Sequence, residues 1–166
     1  PATFTHSTVL EVVWTAVPVF ILAIIAVYSF PLLAYEERIP GNIDLTVKVT
    51  GSQWYWDYEY PDNGGFTFTS KLLEKDKAEA AGVPYRLAAN EAMVVPINKT
   101  IKVIITAADV IHSWTVPAFG VKKDAVPGRL NEIWFKAEKL GTFYGQCSEL
   151  CGADHGVIGF EGKGLD

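Results

Sequence analysis

One stretch of this chain rules out most soluble folds before any other residue is read. Residues 12–35 contain no Asp, Glu, Lys, Arg or His, and Trp14, Phe20, Ile21, Leu22, Ile24, Ile25, Val27, Tyr28, Phe30 and Leu32 fill the run. At about 1.5 Å per residue it reaches roughly 36 Å as a helix, enough to cross a hydrocarbon core about 30 Å thick. A signal peptide has a shorter apolar core and a basic lead, and no basic residue precedes this run. The stretch is expected to be a transmembrane helix. Pro18 is a kink that a bilayer helix tolerates when neighbours satisfy the freed carbonyl. Trp14 at one end and Tyr28 and Tyr35 toward the other suit interfacial belts. Pro31 and Pro40-Gly41 are expected to end the helix.

All 14 Lys and Arg residues follow position 36. Long translocated domains escape the positive-inside rule, so this bias does not fix the orientation. The 166 residues allow one compact domain with a short appendage. With 49% hydrophobic and 13% aromatic residues the chain can bury a core and is not disordered. A net charge of −5 argues against nucleic acid and suits a basic partner or none.

Beyond the apolar run the pattern is β. Residues 44–50 alternate through Leu45, Val47 and Val49, and residues 53–60 are aromatic and strand-favouring. Pro61-Asp62-Asn63-Gly64-Gly65 is a turn cluster. Residues 71–82, rich in Lys, Glu and Ala, are expected to form a brief surface helix. Residues 92–97, 100–107, 131–137 and 142–146 supply further short strands. Short strands separated by Gly and Pro predict an antiparallel Greek-key sandwich or barrel of the cupredoxin kind, where loops at one end grip a metal. The fold class is mainly β, preceded by one transmembrane helix. Residues 1–37 form the helix and its flanks, and residues 38–166 the β domain.

The chemistry is concentrated in Gly145-Gln146-Cys147-Ser148-Glu149-Leu150-Cys151-Gly152-Ala153-Asp154-His155, which holds the only two cysteines. Three readings compete. A disulfide is the ordinary fate of two cysteines outside the cytoplasm. Two thiolates with His155 and His112 also complete a tetrahedral zinc site, although zinc cysteines usually come as short knuckles in two separate pairs. One loop carrying Cys, Cys and His, with a lone His upstream, is the distribution of cupredoxin-type copper sites with a second thiolate added. Copper is favoured, and spacing alone leaves the other two open. The sequence offers no Ser-His-Asp set, phosphate-cradling glycine loop or paired acids in a motif.

At these residues the chain resembles the binuclear copper A loop of cytochrome c oxidase subunit II, in its bacterial form. Gln53-Trp54-Tyr55-Trp56, His112-Ser113-Trp114 and Ala125-Val126-Pro127-Gly128-Arg129-Leu130-Asn131 resemble other parts of that subunit, in the family's order. The resemblance implies two copper ions bridged by the thiolates of Cys147 and Cys151. His112 and His155 would each hold one copper, with the Glu149 carbonyl as a weak ligand. It implies electron transfer from cytochrome c to haem in oxidase subunit I, where oxygen is reduced to water. It places the large domain on the periplasmic side of a bacterial inner membrane, or in the mitochondrial inner membrane. The family has two transmembrane helices and only the second is visible, so the chain is expected to begin partway through the protein.

Further residues match the family's functional positions. Trp54 matches the surface tryptophan where the electron arrives, while Tyr55 and Trp56 also suit core packing. Glu59 and Asp109 match docking acids, with Asp57 and Asp62 nearby. Asn90 stands where the family often has Asp, although Glu91 lies beside it. Glu11 matches the mouth of the proton channel into subunit I. The Glu149 carboxylate matches the ligand of a magnesium ion shared with subunit I. Arg129 suits either haem propionates or a structural ion pair. Ile158 occupies the family's axial methionine position, and the only methionine, Met93, is distant in sequence. After His155 the chain departs from the family, without its usual final strand. Three alternatives remain: a quinol oxidase subunit II, which has the same fold without the ligands; a nitrous oxide reductase copper domain; and a metal carrier or zinc-stapled module.

Overall fold

The computed structural model describes residues 3–153 and the backbone of residues 159–165. It divides into two compact units, residues 1–38 and 39–166.

The first unit is one helix, α1 (Thr8–Glu36), with none of its residues buried. It is long and apolar enough to cross a membrane. Pro18 and Pro31 both lie inside it. Pro31 therefore does not end the helix, contrary to the expectation from sequence. A proline removes one backbone donor, and the main-chain bonds on either side carry the helix on until the charged run Glu36-Glu37-Arg38.

The second unit is a β-sandwich. Its strands are β1 (Leu45–Ser52), β2 (Tyr55–Tyr60), β3 (Phe66–Ser70), β4 (Ala92–Pro96), β5 (Thr100–Ala107), β6 (His112–Val116), β7 (Val121–Ala125), β8 (Asn131–Lys136), β9 (Gly141–Cys147) and β10 (Gly159–Leu165), with a short helix α2 (Lys75–Ala81) after β3. One sheet runs β3-β2-β1-β5-β8 and the other β4-β10-β9-β6-β7. Two pairs are parallel, β1 with β5 and β4 with β10, and the remaining neighbours are antiparallel.

Period-two patterning builds the first sheet. Every second residue of β1 and β5 points inward, so Val47, Val49, Ile101, Val103 and Ile105 are fully buried. Against them the second sheet sets Met93, Val95, Trp114 and Val116, also fully buried. Tyr60 crosses to the edge of the second sheet, where its hydroxyl both donates to Val94 O and accepts from Val94 N, each at 2.8 Å. Those bonds occupy backbone groups that an edge strand would otherwise leave open.

Candidate metal centre

Adjacent strands bring the key residues together. His112 opens β6, and β6 pairs with β9 so that Trp114 faces Cys147, the last residue of β9. Ser148 N donates to Ser113 O (3.0 Å), extending the join past the strand end. The chain then turns back to Cys151. His112, Cys147 and Cys151 are all buried, and their donor atoms lie within 4.8 Å of one another. Cys147 Sγ stands 3.8 Å from Cys151 Sγ and 4.0 Å from His112 Nδ1. No disulfide joins Cys147 to Cys151. Their separation is far beyond the S–S bond length of about 2.05 Å.

Each donor is aimed by its surroundings. Asp109 Oδ1 lies 2.8 Å from His112 Nε2. An ionised carboxylate can only accept, so Nε2 carries the proton and Nδ1 turns its lone pair toward the thiols. Burial disfavours the Asp109 charge, but hydrogen bonds from His112, Val110 N and Gln53 N prevail and hold the carboxyl below its ordinary pKa. Behind the imidazole, Trp56 packs edge-on at 5.8 Å between centroids. Gly51 on β1 makes this stack fit: a Cβ there would come within 3.0 Å of His112 Cδ2 and of Trp56 Cζ3.

The Cys151 thiol lies in a site that resists charge. Burial, then the neighbouring Cys147, pushes the Cys151 thiol up to about 12, so without metal it stays protonated at neutral pH. A bound cation would reverse this and release the proton. Cys147 Sγ lies 3.4 Å from the Glu149 carbonyl. An imidazole lone pair, two thiols and a carbonyl oxygen, sheltered from water, form a donor set that fits a soft, thiolate-loving metal such as copper.

Other residues singled out in the sequence are distributed differently. Trp54 lies in the turn between β1 and β2, half-buried, its ring against the cysteine loop. A Cβ on Gly152 would sit 3.2 Å from Trp54 Cζ2, and the φ of +123° at Gly152 also favours glycine. Trp54 Nε1 is buried without a hydrogen-bond partner among the described residues. Trp56 is fully buried.

Glu59 lies away from the cluster, four residues along β2 from Tyr55, or about 13 Å. It pairs with Lys48 at 3.2 Å. Asp57 accepts from Thr69 Oγ1, and Asp62 accepts from Thr46 N. Asn90 Oδ1 accepts from Lys71 N, and Glu91 is exposed. Arg129 is exposed and has no ion pair among the described residues. Glu11 lies in the first turn of α1, where its carbonyl accepts from Thr15 Oγ1. The Glu149 side chain is exposed. His155 and Ile158 lie outside the described residues.

Sequence reasoning missed Gln53, whose amide Nε2 donates to Cys151 O at 2.8 Å. The only signal was its place beside Trp54 in an aromatic motif. The expectation of no final strand is corrected as well. Residues Gly159–Leu165 form β10 between β4 and β9, which completes the second sheet.

A buried His and two thiols at the end of a Greek-key sandwich define a cupredoxin-like metal-binding domain. The model of the cytochrome c oxidase subunit II periplasmic domain matches residues 45–161, and that of the subunit's transmembrane domain matches residues 1–32. The chain therefore belongs to the cytochrome c oxidase subunit II family. Cytochrome c oxidase subunit 2 of Cereibacter sphaeroides is 53% identical over 95% of this chain. The alignment takes in 57% of that relative, so the chain spans little more than half its length. The crystal structure of the periplasmic domain of subunit II of cytochrome oxidase from Bradyrhizobium japonicum superposes with a TM-score of 0.71 at 54% identity, covering 78% of this chain and 88% of that one. A second solved structure captures a mixed disulfide between a thioredoxin-like protein and subunit II of cytochrome c oxidase, with a TM-score of 0.66 at 52% identity, covering 79% and 87%.

Proposed function

We propose that this chain is the electron-transfer subunit of a haem-copper terminal oxidase, accepting electrons from cytochrome c and passing them to haem in subunit I for the reduction of oxygen to water. The observation that carries this reading is the buried cluster of His112 Nδ1, Cys147 Sγ and Cys151 Sγ within 4.8 Å, in a chain of this family. We assign it two copper ions, which Cys147, Cys151, His112, His155 and the Glu149 carbonyl would hold. Bound there, copper supplies a one-electron couple. The protein's part is to hold its donors still, because ligand movement adds to the barrier of electron transfer. His112 is held between Asp109 and Trp56, and Cys147 ends a strand paired on both sides.

Trp54 is the proposed point of electron arrival, since its ring lies beside Gly152 of the cysteine loop, where a Cβ would come within 3.2 Å of it. Glu59 and Asp109 serve the basic face of cytochrome c. Asp109 then has two tasks, because it also orients His112. We assign the Glu149 carboxylate to a magnesium ion shared with subunit I, Glu11 to the proton-channel mouth, and Ile158 to the place that a methionine takes in the family. Residues 1–37 anchor the subunit in a bacterial inner membrane, with residues 38–166 on the periplasmic side. Neither a ligand-free quinol oxidase subunit nor a nitrous oxide reductase domain is favoured by relatives named as cytochrome c oxidase subunit 2.

Cys147→Ser and Cys151→Ser test the reading. A hydroxyl neither ionises near neutral pH nor bridges two soft ions. Each variant should lose the two-copper centre in a metal count, and retention of both ions would contradict the assignment.

A further inference from the structure

His112 is tied to the backbone of Cys151 by a relay of three hydrogen bonds that passes through Gln53. His112 Nε2 pairs with Asp109 Oδ1 at 2.8 Å, Gln53 N donates to Asp109 Oδ2 at 2.7 Å, and Gln53 Nε2 donates to Cys151 O at 2.8 Å. Gln53 is 56 positions from Asp109 and 98 from Cys151, so no local turn produces the relay. A carbonyl accepts only, which fixes the amide with its nitrogen toward Cys151.

The two cysteines are positioned by different means. Cys147 ends β9, whose neighbour is the strand that carries His112. Cys151 lies beyond the end of β9, outside any strand, in a loop whose next residue, Gly152, rests on Gln53 and Trp54. We propose that Gln53 is a positioning residue for this site. Its main chain grips the carboxylate that orients His112, its side chain grips the carbonyl of Cys151, and together they set the distance between those two donors. The consequence for metal binding rests on the copper reading given above, whereas the geometric claim concerns the metal-free protein.

Gln53 is exposed and lies outside the buried core cluster. Gln53→Met keeps the length and removes the donor. Gln53→Glu keeps the shape and faces the carbonyl with an oxygen. Both keep the main-chain bond to Asp109.

In the reduced, metal-free full chain, amide hydrogen exchange across residues 149–153 should run about fivefold faster in Gln53→Met, the factor that one net hydrogen bond carries. It should run faster still in Gln53→Glu, while exchange in β5 and the thermal midpoint stay at the wild-type values. After copper loading, release to a chelator should accelerate by a similar factor with the same number of ions bound per chain. Unchanged exchange at residues 149–153 in both variants would overturn the proposal. Faster exchange with unchanged copper release would overturn its consequence for the metal. A wild-type chain that binds no copper would refute the copper reading, and the exchange measurement would still decide the role of Gln53.

Discussion

The helix and the sandwich are stabilised against different surroundings. In α1 no residue is buried, and Phe20, Leu22 and Tyr28 are all exposed. In the sandwich the inward-facing Val47, Val49, Ile101, Val103 and Ile105 of β1 and β5 are buried to completion. An α-helix satisfies its own backbone and can leave its side chains to lipid. A sheet satisfies only its strands' hydrogen bonds, so it must bury a face against another layer. The metal centre belongs to the second kind of region, because ligands held by a packed core move little.

The largest effect should come from breaking the packing. Ile105→Ala, at a fully buried position of β5, should destabilise the sandwich by about 2–5 kcal/mol in denaturant unfolding. A truncation of similar size in α1, Leu22→Ala, should leave that transition where it is.

The converse change tests the helix. Leu22→Arg places a charge near the middle of α1 and should cost membrane insertion about 2.5–3.5 kcal/mol. The share of chain recovered in the membrane fraction should fall, while the unfolding midpoint of the sandwich stays put. A sandwich that unfolded together with the displaced helix would show that the two regions are not separately stabilised.

The smallest effect concerns an exposed carboxylate at the start of β1. Asp44 accepts from Thr100 N at 2.8 Å, and this bond, opposed by slight desolvation and aided by Lys99, holds its pKa below the ordinary value. Its contribution to stability is therefore complete above the unfolded pKa of about 3.9 and fades as pH falls through the lower folded value. Between pH 5 and pH 3 the thermal midpoint of the wild type should fall slightly more than that of Asp44→Asn. Equal slopes would show that the Asp44–Thr100 bond adds nothing.

The same contrast explains what could be read from the sequence. An uncharged run announces a membrane helix by composition alone, and only its end was misplaced, at Pro31. Strands β1 and β5 were legible because one face is buried and the other wet, so Leu45, Val47 and Val49 alternate with Thr46 and Lys48. Strand β6 is buried at all five positions and shows no alternation, so His112-Ser113-Trp114 read as a motif and not as a strand. Strand β7 carries Lys122, Lys123 and Asp124, and β10 carries three glycines, which mask the period in one and weaken the strand signal in the other. At the site, the thiols and His112 were visible as residue types. The hydrogen bonds from His112 to Asp109 and from Gln53 to Cys151 were not: the first depends on how two side chains turn, and the second joins residues 98 positions apart and leaves no local trace.

On the proposed reading, the cluster of His112, Cys147 and Cys151 holds a pair of coppers acting as one redox centre. Electron paramagnetic resonance on the copper-loaded chain, with a metal count on the same sample, tests it most directly. Two coppers per chain are expected, with one unpaired electron whose hyperfine pattern arises from both nuclei. A single copper with the hyperfine pattern of one nucleus, or zinc retained in its place with no signal, would contradict it.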